Sequence, residues 1–306
     1  MEVRDVFELR KKGQTEQAYE AICPMFDVHQ GHYTSLAMLW TANDMFAKYF
    51  SAGRLAEARQ ALMRMVRAAA HTEDDGKANA AIVRCALKMD SKVDGFNLEY
   101  FIPFVEKLKD DDWKASQFNG HYMASLGQRA VDHLMKPLAK KGRSYVERVM
   151  PLFTRALEAR PSDKNNLRHL AQVYAMSGLR DKAIGVYIRL LQRYHDPYLY
   201  SGLAAITDDH DLKVALLCMA VMRQKRDVFS AGLHGELAFM LRKRAPARAA
   251  FEARKSLALR EQAGWHASSA LMRLSAELSA VEPVSLTDEQ AFYQRAAAYC
   301  HDKLHL

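Results

Sequence analysis

Apolar positions recur at helical spacing along almost the whole chain. The clearest unit is residues 164–197, a span of 34. Leu167, Leu170, Ala171 and Tyr174 fall at i, i+3, i+4 and i+7, one face of a helix. Gly178 follows and stops that helix, because a left-handed residue past the last turn costs glycine nothing. A second helix starts near Asp181, with Ala183, Tyr187, Leu190 and Leu191 on its inner face. Pro197 closes the unit, since its ring and missing N–H disfavour continuing a helix.

The same turn recurs near the N-terminus. Gly13 precedes Ala18 and Gly53 precedes Ala58 at the spacing that separates Gly178 from Ala183. In each case the glycine ends one helix, and the small alanine lets the next pack closely against it. Val6 and Leu9 belong to the first helix, and Tyr19, Ile22 and Met25 to the second, which Pro24 is expected to interrupt. Residues 27–33 are expected to form a loop. Leu36, Leu39, Ala42, Phe46 and Phe50 form the next apolar stripe, with Leu62, Met65 and Val66 opposite.

From Thr72 to Ser125 the repeat is lost. Helices are expected over residues 78–89 and 96–109, the second with Pro103 near its start or at a kink. Asp110–Trp113 resembles an acidic helix cap, and residues 117–125 form the expected irregular loop. The helix pairs resume near Leu126. Gly142 is expected to end a helix, and Pro151 to kink the next or to mark a fresh start near Met150. Further pairs fall over 198–206 with 212–223 and over 233–242 with 247–261. A polar turn at residues 207–211 joins the first pair, and Ala245-Pro246 joins the second. Helices over 265–281 and 287–304 end the chain. Thr287 and Gln290 carry a capping-box spacing, and Phe292, Ala296 and Tyr299 share one face of a terminal capping helix. The resulting divisions are 1–71, 72–125, 126–261 and 262–306.

These turns and stripes resemble the tetratricopeptide repeat family. Leu167 and Ala171 stand where that family often has Trp and Gly; Tyr174, Gly178, Ala183 and Tyr187 fall in family positions. The resemblance implies an all-α, right-handed solenoid of antiparallel helix pairs with an atypical middle. It also implies a non-catalytic adaptor that binds a protein or peptide in a concave groove. By the family's groove positions, Asn165, Arg168, Gln172 and Ala175 would face the partner. Arginine suits bidentate capture of a carboxylate. The next repeat offers Tyr198, Ser201 and Ala205 instead of a second cation, so the family's two-repeat carboxylate clamp is not expected.

Charge adds a rival. The 306 residues carry a net charge of +8. Residues 125–260 hold 25 Lys and Arg against 12 Asp and Glu, an excess of 13 positive charges that leaves the remainder acidic by 5. Two clusters stand out as candidate anion sites: Arg223, Lys225 and Arg226, and Arg242, Lys243 and Arg244. Cations at helix C-termini also complement the helix dipole, which is the structural explanation for both. The alternative function is therefore association with RNA or DNA through a basic surface. A fainter whole-chain resemblance to bacterial helical-repeat proteins of stress or conflict systems implies the same.

Enzymatic chemistry finds little support. No G-x-G-x-x-G or G-x-S-x-G occurs, and Asp75-Gly-Lys77 lacks the flanking residues of a phosphate loop. His29 with His32 and His301 with His305 have ligand spacing but no third ligand beside them, so neither a metal nor a cofactor is expected. Cys23, Cys85, Cys218 and Cys300 are scattered in apolar helical settings. That points to free thiols in a reducing compartment, and hence to the cytoplasm. No apolar run is long enough for a membrane helix.

Overall fold

A computed structural model describes residues 1–72, 76–118, 121–138 and 141–306. The chain divides into two compact units, Met1–Asn166 and Leu167–Leu306.

The first unit opens with α1 (Val3–Lys11), α2 (Thr15–Val28), α3 (His32–Ser51), α4 (Leu55–Ala69) and α5 (Lys77–Asp90). A 3-10 turn over Leu98–Phe101 leads into the short α6 (Ile102–Glu106), and a second spans Asp110–Trp113. A hairpin of β1 (Ser116–Phe118) and β2 (His121–Met123) follows, then α7 (Leu126–Met135), α8 (Arg143–Ala159) and the first residues of α9 (Lys164–Met176). The second unit takes up the rest of α9 and adds α10 (Arg180–Leu191), α11 (Pro197–Ile206) and α12 (His210–Arg223). It continues with a 3-10 turn over Asp227–Ser230, α13 (Ala231–Leu241), α14 (Pro246–Gln262), α15 (Ser269–Glu277) and α16 (Leu286–Leu304). The architecture is all-α: short connections fold successive helices back on one another as antiparallel pairs.

The glycine turns form as the pattern requires. Gly13, Gly53 and Gly178 have φ of 74°, 74° and 75°. The residue after each donates its N–H to the carbonyl five positions earlier: Gln14 to Leu9 at 2.9 Å, Arg54 to Tyr49 at 2.9 Å and Leu179 to Tyr174 at 2.8 Å. This closure satisfies carbonyls that the helix end leaves open. Gly264, with φ 68°, makes a fourth such turn, with Trp265 donating to Arg260 at 2.8 Å. Ala18, Ala58 and Ala183 are fully buried at the start of the following helices.

Several local expectations change. Proline does not break α2 or α8; Pro24 and Pro151 both sit inside continuous helices. Pro151 is exposed, so the carbonyl its missing N–H leaves open can take water. Gly142 begins α8 as its N-cap, where a helix end was expected. The expected helix over 96–109 is a 3-10 turn plus the five residues of α6, with Pro103 in its first turn. The expected loop over 117–125 contains most of a β-hairpin, with Gln117 paired to Tyr122. Trp113 is buried against Gly127, where a Cβ would collide with the indole. At the C-terminal end, α15 begins only at Ser269 and leaves Trp265 in a loop. Ser285, two residues before Thr287, caps α16 by accepting from the Asp288 N–H at 3.1 Å. Asp75 of the Asp-Gly-Lys sequence lies outside the described residues.

One apolar cluster fills the second unit, from Ala171 through Tyr187, Tyr200, Leu216 and Leu237 to Cys300. Tyr187 of α10 packs so closely on α11 that a Cβ at Gly202 would meet its hydroxyl at 2.7 Å. No helix among the described residues is long and apolar enough to cross a membrane.

Candidate functional site

The α9 side chains named by the helical pattern are more engaged than a solvated face would be. Asn165 lies in the first unit and is half-buried; its backbone N–H donates to Asp163 Oδ1 at 2.9 Å, part of the turn that starts the helix. Arg168 and Gln172 lie in the second unit, both half-buried. The Arg168 guanidinium stands 5.2 Å from the Tyr198 ring centroid, within cation–π range. Its Nη2 is 3.3 Å from His169 Nε2, and His169 Nδ1 is 3.0 Å from Gln172 Oε1. That geometry puts the imidazole proton on Nδ1, donating to Gln172, with Nε2 accepting from Arg168. Arg168 Nε is buried with no hydrogen-bond partner, and no carboxylate pairs with Arg168 among the described residues. Tyr198, which offers no second cation, is thus the surface that holds Arg168.

The six basic candidates do not form one patch. Arg223 ends α12, with Lys225 and Arg226 just beyond it, and Arg242, Lys243 and Arg244 follow the C-terminal end of α13. The two helices are antiparallel, so the clusters sit at opposite ends of the pair, about 16 Å apart for the 11 residues of α13. All six residues are exposed. Arg244 is neutralised by Asp211 at 2.9 Å. The other five have no carboxylate partner among the described residues.

At the first of these ends the fold assembles an aromatic pair that sequence spacing does not reveal. Phe229 and Trp265 stack with centroids 6.0 Å apart and planes at 26°. They are 51% and 44% exposed, an unusual state for large rings. Arg226 stands 5.9 Å from the Phe229 centroid. A basic cluster without a stacking aromatic, as the sequence alone presents it, therefore acquires one in the fold.

A third feature, also missed by sequence reasoning, is a buried charged cluster joining α13, α14 and α16. Glu252 and Glu289 are both fully buried. Glu252 receives the Tyr293 hydroxyl at 2.5 Å on Oε1 and faces His234 Nδ1 at 2.5 Å on Oε2. Glu289 Oε2 accepts from Arg248 at 2.7 Å, while Arg248 also lies 4.5 Å from the Phe292 ring centroid. Glu289 Oε1 has no donor. Burial, followed by the charge and hydrogen bonding of Glu252, pushes the Glu289 carboxyl up to about 7. Burial and then Glu252 raise the Tyr293 phenol too, and burial raises the neighbouring Cys218 thiol. A signal for this cluster did exist. Glu252 lies in the stripe of Ala249, Ala253 and Ser256, and Glu289 in that of Ala296 and Cys300, so both carboxylates occupy inward positions. Among the described residues, no three His, Cys, Asp or Glu side chains are grouped to hold a metal ion.

Over residues 169–299 the chain matches the model of a domain of unknown function, DUF7017. No curated protein matches. Solved structures similar to the chain include a tetratricopeptide repeat protein from Parabacteroides merdae ATCC 43184. That protein is 12% identical, with 90% of this chain and 97% of that chain covered at a TM-score of 0.49. They also include the human IFIT1 dimer with PPP-AAAA, 15% identical, with 98% of this chain and 65% of that chain covered at a TM-score of 0.43. The span of the family model takes in both basic clusters, the Phe229–Trp265 stack and the whole buried cluster.

Proposed function

We propose that the chain is a non-catalytic adaptor that holds an acidic peptide or protein partner on the exposed side of α9, with Arg168 as the anion-recognising group. The observation that carries this reading is the state of Arg168. Its guanidinium is half-buried, supported by Tyr198 and His169, and lacks a counter-charge. Arg180 and Arg244 of the same unit are instead paired with carboxylates, Asp208 and Asp211. Arg223, Arg226, Arg242 and Arg295, which have no carboxylate partner among the described residues, are exposed where Arg168 is half-buried. A partly desolvated, pre-positioned guanidinium with free donors favours a carboxylate from outside, because less rotamer entropy remains to be lost on binding. Gln172, tethered to the same imidazole, supplies a neutral amide one turn on.

A second reading is favoured by one specific observation, the exposed Phe229–Trp265 stack beside Arg223, Lys225 and Arg226. Exposed rings next to unpaired cations are how sequence-tolerant binding of single-stranded nucleic acid is built. Salt separates the two readings. A pull-down at graded salt, with and without nuclease, should recover a nuclease-resistant protein partner under the adaptor reading. Recovery of RNA or DNA alone, lost steeply as salt rises, would replace the adaptor with the nucleic-acid reading.

A further inference from the structure

The Phe292–Ala296–Tyr299 side of α16 does not close fully against its neighbours. Phe292, Ala296 and Tyr299 line a cavity of about 400 Å³ between α16, the N-terminal half of α12 and the C-terminal end of α13. That volume lies in the range of small-ligand sites. The floor is apolar: Val214 and Ala215 of α12, Leu241 of α13 and Ala296 itself are all buried. Tyr299, 39% exposed, stands at the open side as an aromatic wall.

The rim is charged, and the charges do not cancel. Arg244 is paired with Asp211 at 2.9 Å. It also donates toward His210 Nδ1 at 3.1 Å, while His210 Nε2 lies 3.2 Å from the Met240 carbonyl. His210 Nδ1 lies 3.2 Å from Asp211 Oδ1 as well, and together these contacts hold Arg244 at the edge of the cavity. Arg295 is exposed and has no hydrogen-bond or ion-pair partner among the described residues. One pair and one unpaired guanidinium leave the rim with a single uncompensated positive charge above an apolar floor.

We propose that this cavity binds a carboxylate attached to an apolar or aromatic body, with the body on the Val214–Ala296 floor and the carboxylate at Arg295. Two sources present this chemistry: a free organic acid, and a peptide whose terminal carboxylate follows a bulky apolar side chain. The site is separate from the α9 face and does not depend on Arg168. Arginine is the suitable rim residue because its planar fork matches a carboxylate. The apolar floor contributes binding that the charge alone, exposed to solvent, would not.

Calorimetric titration of the full chain with 4-phenylbutyrate, and separately with the acetylated tripeptide Gly-Glu-Phe, tests the assignment. The expected result is saturable binding of at least one probe. 4-Phenylbutanamide, which lacks the charge, should bind about tenfold or more weakly. Arg295→Glu should abolish binding, and Ala296→Trp should do so by filling the cavity. If Ala296→Trp fails to fold by circular dichroism, Arg295→Glu decides alone. Binding of phenylbutyrate identifies a free acid as sufficient, and binding of the tripeptide alone identifies a peptide terminus. Absence of saturable binding of both probes at about 10 mM, equal binding of the amide, or unchanged binding by Arg295→Glu would each overturn the assignment. Arg168→Ala, titrated alongside, should bind these probes as the parent does, so failure of the adaptor reading and failure of this one are read out separately.

Discussion

His234 of α13 and Glu252 of α14 meet at 2.5 Å, with side chains only 4% and 0% exposed. Tyr293 of α16 closes on the same carboxylate from the other side at 2.5 Å. Three helices therefore depend on one buried glutamate. Removing one partner of a buried pair strands the others without solvation, at a cost of about 3–5 kcal/mol. Glu252→Ala should destabilise the protein on that scale in urea unfolding. A loss below about 1 kcal/mol, the scale of an exposed ion pair, would mean that the cluster does not hold α13, α14 and α16 together.

The second carboxylate makes stability depend on pH. Glu289 is faced by Glu252, Arg248, Tyr293 and Cys218, from α12, α14 and its own helix, and His234 of α13 packs on Glu252 Oε2. Its carboxyl titrates at about 7, raised from 4.5. The folded state therefore holds a proton that the unfolded state has already released across that interval. Stability from this group is complete below about 4.5 and is lost as pH rises through about 7. Exposed carboxyls such as Glu8, Glu16 and Asp111 are lowered by their lysine partners and act in the opposite sense, but below that window. The melting temperature should therefore fall between pH 5 and 8. Glu289→Gln keeps an acceptor for Arg248 and should flatten the fall; an unchanged slope in that variant would assign the pH dependence elsewhere.

Close packing of α10 on α11 depends on a missing side chain. With the Tyr187 hydroxyl 2.7 Å from where a Gly202 Cβ would stand, Gly202→Ala must displace the ring. Overpacking of this kind costs about 1–3 kcal/mol, despite alanine's better helix propensity. Tyr187→Ala should cost about 3 kcal/mol or more. Combining the two substitutions relieves the clash, so thermal melts of the double variant should show less than the sum of the single losses.

Arg168→Ala removes the proposed anion contact without opening the apolar core. Stability should change little, by about 0.5–1 kcal/mol at Tm, allowing for the contact with Tyr198. Affinity for an acidic partner should fall about tenfold or more, as for loss of a charge-assisted hydrogen bond. Unchanged affinity for every recovered partner would dismiss the α9 face.

Trp265→Ala tests the other end of the second unit. Base–aromatic stacking contributes about 1–3 kcal/mol per base. If the Phe229–Trp265 pair is a nucleic-acid platform, affinity for oligo-uridylate in a fluorescence titration should drop about fivefold or more. Arg226→Ala should then also reduce the salt dependence by about one counter-ion. Equal binding by parent and Trp265→Ala would leave the stack without that role.

Helices, their order and their glycine turns were legible because the information is local. A 3.6-residue apolar period and a glycine placed where φ must be positive act within one or two turns of chain. Gly13, Gly53 and Gly178, with Ala18, Ala58 and Ala183 after them, are visible before any fold is known, and the structure has each as expected. That Pro24 does not end α2, and that no new helix starts at Pro151, lay outside local sequence, because the cost of a lost hydrogen bond depends on whether solvent or neighbouring helices replace it. The same holds for the sites. Phe229 and Trp265 are 36 residues apart and share no periodicity, since both lie outside the long helices; only the antiparallel return of α14 along α13 brings them together. Glu252 and Glu289 each sit on an apolar stripe, which marks them as inward from sequence. That they face one another, with His234, Arg248 and Tyr293 around them, follows from how α13, α14 and α16 pack. Local sequence thus determined which side chains turn inward, and tertiary packing decided what each of them meets there.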